Sequence, residues 1–172
     1  MKMRRLVSAL VMASTAMTVT ACGGSGETSG PTVTKAQAAQ RVDELLREAF
    51  TQLPAGASLK VDYRSDGSAC DDPADNGPAG QVFAESRSWI VPPGNGSWPA
   101  DQAVPVLVAF WQRKGYKLHA DRRSDSRYPT YVVETPDSYY VSIDGWDRTD
   151  HLDYTLSGSS PCVWENGTPD PE

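Results

Sequence analysis

Between residues 116 and 157 the chain alternates apolar with polar residues in four separate segments, and this repetition constrains the fold more than any other feature. Successive side chains of a strand point to opposite faces, so a period of two marks strands with one face buried. In Tyr116 to Asp121 the shared face carries Tyr116, Leu118 and Ala120; in Thr130 to Thr135 it carries Tyr131 and Val133. In Ser138 to Asp144 it carries Tyr139, Val141 and Ile143, and in His151 to Ser157 it carries Leu152, Tyr154 and Leu156. Thr135-Pro136-Asp137-Ser138 places proline at the second position of a turn, which makes the middle two segments a hairpin. The four strands are therefore expected to form an antiparallel meander.

The first half of the chain supplies what covers it. Thr34 is positioned to cap a helix over Lys35 to Gln52, whose Ala38, Val42, Leu45, Leu46, Ala49 and Phe50 recur at three- and four-residue spacing, and Pro54 and Gly56 stop it. Leu59 to Arg64 alternates as a strand, Ser65 to Gly80 has the composition of a loop, and Gln81 to Val91 reads as a second strand. A second helix is expected after Gly96, with Ser97 as cap, Pro99 in its first turn, and a stripe of Val104, Leu107, Val108 and Trp111 ending at Gly115. Pro105 either kinks this helix or delays its regular part to about Gln102. The expected fold class is α+β: an antiparallel sheet with a C-terminal β-meander and two amphipathic helices packed on one face.

The N-terminus carries a different kind of signal. Lys2, Arg4 and Arg5 precede a run of apolar and small residues from Leu6 to Ala21, too short and too rich in Ser and Thr to span a bilayer. The run ends in Val19-Thr20-Ala21-Cys22, an aliphatic residue, two small residues and a cysteine, followed by Gly23-Gly24-Ser25-Gly26. This resembles the lipobox of bacterial lipoproteins. The resemblance implies acylation of Cys22 by palmitate-like chains, cleavage just before it, and a lipid-anchored protein on the outer face of the cell membrane. Two acyl chains suffice for stable anchoring where one is marginal. The implied organisation is a signal peptide over 1–21, a flexible tether over 22–33, one α+β domain over 34–164 and a disordered tail over 165–172.

With Cys22 lipidated, Cys70 and Cys162 remain as one pair, expected to be oxidised outside the cytoplasm. Removing residues 1–21, which hold three basic and no acidic residues, takes the formal charge from −6 to −9. An acidic domain of this kind does not seek nucleic acid or anionic lipid, so the membrane contact implied is the lipid on Cys22. The order of helix, strand, cysteine-bearing loop, strand, helix, meander and terminal Ser159-Ser160-Pro161-Cys162 is similar to small lipoproteins of high-GC Gram-positive bacteria, which implies a place in the envelope and no catalytic residue.

Signatures of chemistry are sparse. The chain has no Gly-x-Ser-x-Gly elbow, His-Glu-x-x-His, phosphate loop or dinucleotide fingerprint, and two distant cysteines with His119 and His151 do not have zinc-site spacing. Asp71 to Gly77 gathers oxygen ligands before a glycine but lacks the EF-hand pattern: counted from Asp72, Ala74 and Phe83 stand at the third and twelfth places. No cofactor, metal or catalytic residue is assigned. A serine hydrolase needs His119 or His151; the first falls on a polar strand face beside Lys117 and Asp121, the second at a turn.

The aromatics say more. Among five Trp and seven Tyr, Trp111, Tyr131, Tyr139 and Tyr154 fall on core faces, whereas Tyr140 points to the exposed sheet face and Trp146 lies in the connection from Gly145 to Asp150. Amphipathic rings so placed favour contact surfaces. The function expected is a non-catalytic, membrane-anchored domain that binds a protein or another envelope component through Tyr140 and Trp146. The alternative is a small-ligand carrier or envelope hydrolase with a pocket between the meander and the helices.

Overall fold

The computed structural model describes residues 33–70, 80–94 and 99–168. The expected lipobox with Cys22, the expected tether before Val33, the oxygen-rich segment 71–77 and Ser97 lie outside them. The described chain is α+β, with two helices and an antiparallel sheet of seven strands.

The first helix, α1, spans Lys35–Phe50. Thr34 caps it through its side chain, which accepts from the Gln37 N–H, while the Gln37 side chain accepts from the Thr34 N–H. The reciprocal pair satisfies two donors that a helix start leaves unpaired. The buried residues Ala38, Ala39, Val42, Leu45, Leu46 and Ala49 form one stripe.

Strands β1 (Ser58–Ala69) and β2 (Gln81–Val91) form a long antiparallel hairpin. Ser65 to Ala69, expected as loop, instead continues β1; the register shifts twice, between Val61 and Tyr63 and between Ser65 and Ser68, so two irregularities absorb residues with poor strand propensity. A 3₁₀ turn at Ala100–Gln102 leads into α2 (Ala103–Arg113). Pro105 sits in the first turn of α2, where its missing N–H leaves no helical bond unmade. Gly115, at φ +71°, ends the helix: its N–H donates to the Gln112 carbonyl and the Tyr116 N–H to the Trp111 carbonyl, a Schellman closure.

From here the chain runs through β3 (Lys117–Asp121), β4 (Thr130–Glu134), β5 (Tyr140–Asp147), β6 (Leu152–Ser159) and the short β7 (Val163–Trp164). Strands β3 to β6 pair consecutively, and the sheet order is β1-β2-β6-β5-β4-β3. The α2 connection thus carries the chain from β2 to the far edge, and the following strands return until β6 meets β2. Strand β7 also pairs with β2, and between β6 and β7 the Ser160 N–H donates to the Ala84 carbonyl while the Ala84 N–H donates to Ser160 Oγ.

Two further expectations need correction. Leu118 and Ala120 do not share a face, because an irregularity between them pairs Leu118 with Val133 and Ala120 with Val132; Leu118 is 51% exposed. Trp146 lies within β5 rather than in a connection. Beyond β7, Glu165 to Thr168 form a turn whose Glu165 ion-pairs with Lys35.

A single core joins helices and sheet. Val42, Leu45, Leu46, Leu107 and Trp111 meet Tyr131, Val133, Val141, Ile143, Tyr154 and Leu156, and Trp111 stacks parallel on Tyr131 with centroids 6.2 Å apart. At Gly158 the first helix rests on the backbone of β6: a Cβ there meets Leu46 at 3.2 Å and Val42 at 3.3 Å. Cys70 and Cys162 form a disulfide with Cα atoms 6.1 Å apart, tying the end of β1 to the start of β7.

Candidate functional site

The face of the sheet opposite this core is covered by no described helix. Register decides what it displays. Alternate residues of β2 (Glu85, Arg87, Trp89), β6 (Ser159, Ser157, Thr155) and β5 (Tyr140, Ser142, Asp144) stand side by side in three rows: Glu85-Ser159-Tyr140, Arg87-Ser157-Ser142 and Trp89-Thr155-Asp144. Tyr63 of β1 extends the second row on one side and Val132 of β4 on the other.

Two structures grow from this arrangement. The first is an interlocked stack of arginines and rings. Arg148 lies 4.8 Å from the Trp89 centroid, Trp89 meets Trp146 edge-on at 6.1 Å, Arg87 covers Trp146 at 5.4 Å, Tyr128 abuts Trp146 at 6.2 Å, and Arg127 lies 5.5 Å from Tyr128. Each cation has a carboxylate: Arg148 with Asp153 at 2.9 Å, Arg87 with Asp62 at 2.7 Å, Arg127 with Asp147 at 3.6 Å. Hydrogen bonds from Arg87 and then from Trp89 hold the Asp62 carboxyl below its usual range. The Trp146 indole N–H donates to Thr155 Oγ1 at 3.1 Å. Stacking and pairing together orient the rings, and each arginine of this half of the face is matched by a carboxylate.

The second is a trough of about 230 Å³ beside the stack. Its floor consists of the small residues Ser142, Ser157 and Ser159; Tyr63, Glu85 and Arg87 wall one side, Tyr140 and Val132 the other. Three serines beneath large neighbours are what make the hollow. Ser68 donates to Glu85 at 2.9 Å, and Ser142 donates to Asp144 at 2.6 Å. Burial pushes the Asp144 carboxyl above its ordinary value, against the opposing Ser142 hydrogen bond. His119 supports the outer wall, edge-on to Tyr140 at 4.7 Å. Ser157 Oγ is buried without a hydrogen-bond partner. Such an orphaned hydroxyl is costly unless something else satisfies it.

The two sequence-assigned binding residues therefore stand on the same face but in different parts of it, Tyr140 at the trough and Trp146 in the stack. Sequence reasoning missed the three serines, Tyr63, Trp89 and Tyr128, and the arginines. The signal available was parity: Ser142 has the parity of Tyr140 and Trp146 in one strand, and Glu85, Arg87 and Trp89 share another.

Larger hollows lie at the margins: about 560 Å³ between Ala100–Asp101 and the start of β6, and about 450 Å³ between α1 and the β4–β5 turn, where Arg41 bridges to Asp137 at 2.9 Å. The centre of the sheet packs directly on the helices, so these two hollows lie at the rim of the helix–sheet interface, where the alternative placed a carrier or hydrolase pocket. Neither described histidine hydrogen-bonds a serine or threonine hydroxyl: His151 contacts Asp150 at 2.6 Å and Asp153 at 3.3 Å, and His119 contacts Tyr140. Among the described residues no group of three or more His, Cys, Asp or Glu is placed to hold a metal, and no helix is long and apolar enough to cross a membrane.

No protein-family model, curated protein or solved structure matches the chain.

Proposed function

We propose that this chain is a lipid-anchored lipoprotein of the outer membrane face whose domain binds an envelope component through its open sheet surface, without catalysis. The observation that carries the reading is the asymmetry of the sheet. One side is packed under both helices, whereas the other bears a pre-ordered ring stack and a trough with an unsatisfied hydroxyl. Ordering side chains in advance lowers the entropic cost of recognition, which suits a binding surface. The lipobox supplies the address, and the −9 charge expected after cleavage leaves membrane attachment to the acyl chains on Cys22.

Two measurements test the two halves of this reading. Intact mass of the membrane-extracted protein should show loss of residues 1–21 and a diacylglyceryl adduct on Cys22, with Cys22→Ala released from the membrane; an unmodified Cys22 refutes the anchor. Sedimentation with purified envelope material should be lost in a Tyr140→Ala, Trp146→Ala double variant. Equal sedimentation of the double variant and the parent refutes the assignment of the face.

A further inference from the structure

Resting on that reading of the open face, we infer that the trough is a subsite for a neutral, polyhydroxylated ring: one sugar residue of a glycan chain. The first argument is charge. The lining holds one cation and one anion, Arg87 and Glu85, and Arg87 is already committed to Asp62 at 2.7 Å and to the Trp146 ring. No free cation is left to recognise a phosphate or a carboxylate, and Glu85, which accepts from Ser68, disfavours an anion further. The second is hydrogen-bond chemistry. The floor offers serine hydroxyls and the walls tyrosine hydroxyls, groups that both donate and accept; Ser142 already donates to Asp144, and Ser157 Oγ, closed beneath its neighbours with no partner in the protein, is reached by a ring hydroxyl when those neighbours part. A ring bearing several hydroxyls matches such a lining, since each of its groups also donates and accepts.

The third argument is size and shape. A volume of about 230 Å³ is below the roughly 300–1,000 Å³ of pockets that enclose drug-sized ligands, so the trough takes one ring. It opens to solvent along the sheet, which lets a chain of rings continue out of it. Tyr63 from β1 and Tyr140 from β5 contribute aromatic surface to the lining and Val132 an aliphatic one, the kind of lining that suits the apolar C–H face of a sugar.

The test uses the full chain in detergent micelles, titrated with four neutral polysaccharides (a galactan, a mannan, a glucan and a xylan), an acidic galacturonan, and the matching monosaccharides. Tryptophan fluorescence and ligand-observed NMR report binding. The expected result is binding of at least one neutral polysaccharide, its monosaccharide in the millimolar range, and no preference for the galacturonan. Ser157→Ala should weaken that binding about tenfold while leaving the melting temperature unchanged or raised, because it removes an unsatisfied buried hydroxyl. Tyr140→Phe should weaken it with the fold intact. Binding unaffected by both variants, or restricted to the acidic polymer, overturns the inference. If envelope material sediments with the protein in a Trp146-dependent way but no neutral sugar binds or competes, the sugar subsite is refuted while the open-face reading stands; if the envelope material fails to bind as well, both fall.

Discussion

Removing the Cys70–Cys162 disulfide is the perturbation with the most calculable consequence. The bond joins residues 92 apart in sequence, and in the chain-entropy treatment closing a loop of that length lowers the entropy of the unfolded chain by an amount worth about 4.6 kcal/mol. The folded side of the balance changes little. Beside the bond the Cys70 N–H donates to the Gln81 carbonyl, and Gln81 and Val82 pair with Trp164 and Val163, so β1, β2 and β7 stay aligned by their own ladder. Unfolding a domain of roughly 130 residues carries an entropy near 0.28 kcal/mol/K, which converts the loss into a fall in Tm of about 16 °C at most. Native disulfides removed from small domains cost about 2–5 kcal/mol, so a Cys70→Ser, Cys162→Ser variant should melt about 7–16 °C lower by circular dichroism, with its near-ultraviolet spectrum at 20 °C unchanged. A shift under about 3 °C refutes the argument, since the unfolded chain is then not constrained by the bond. A collapsed near-ultraviolet spectrum also refutes it, since the bond is then holding native packing together.

Three further outcomes follow from single contacts. Gly158→Ala introduces a Cβ at 3.2–3.4 Å from Val42 and Leu46 and should cost about 1–3 kcal/mol by urea unfolding; a neutral result means α1 does not rest on β6 as described. Ser138 closes the β4–β5 turn at φ +64°, its N–H donating to the Thr135 carbonyl at 2.9 Å, so Ser138→Gly should stabilise by up to about 1 kcal/mol, and a clear loss counts against the left-handed turn. Asp144 has its carboxyl raised by burial, so ionisation is disfavoured in the folded state relative to the unfolded one, and the residue costs stability above its folded pKa. Asp144→Asn should therefore melt higher than the parent at pH 7, with the difference shrinking as pH falls towards 3.8, where both states of the parent take up the proton; a pH-independent difference refutes the assignment.

What could be read from the chain in advance was local. The α1 cap and stripe, the limits of β2 and the core faces of β4, β5 and β6 all follow from periodicity and turn chemistry within a dozen residues. The misreadings share a cause in that pairing overrides local preference. Ser65 to Ala69 has loop composition, yet it continues β1 because Ser65, Ser68 and Ala69 find partners in Glu85, Phe83 and Val82. Leu118 and Ala120 have matching parity on paper, but one irregularity turns them to opposite faces, since a single extra residue inverts every side chain beyond it.

The site was harder to see for a topological reason. Its floor and walls come from strands that are neighbours only in space: β2 ends at Val91 and β6 begins at Leu152, with a helix and three strands between them. Each strand taken alone shows an unremarkable polar face. Only the pairing of Arg87 with Ser157 and of Ser157 with Ser142 sets three small residues beneath Tyr63, Arg87 and Tyr140, and only the pairing of Trp89 with Thr155 and of Thr155 with Asp144 brings Trp89 within reach of Trp146. The same strand, β6, also explains why the two faces of the sheet depend on one another. Ser157 and Ser159 open the trough on one side, while Gly158 between them admits α1 on the other, so small residues are needed in succession for opposite reasons. A larger residue at 157 fills the trough and leaves the helix seated; a larger residue at 158 displaces the helix and leaves the trough chemistry in place. Binding and stability should therefore separate across two adjacent positions, as an alternating strand with one packed face and one recognition face requires.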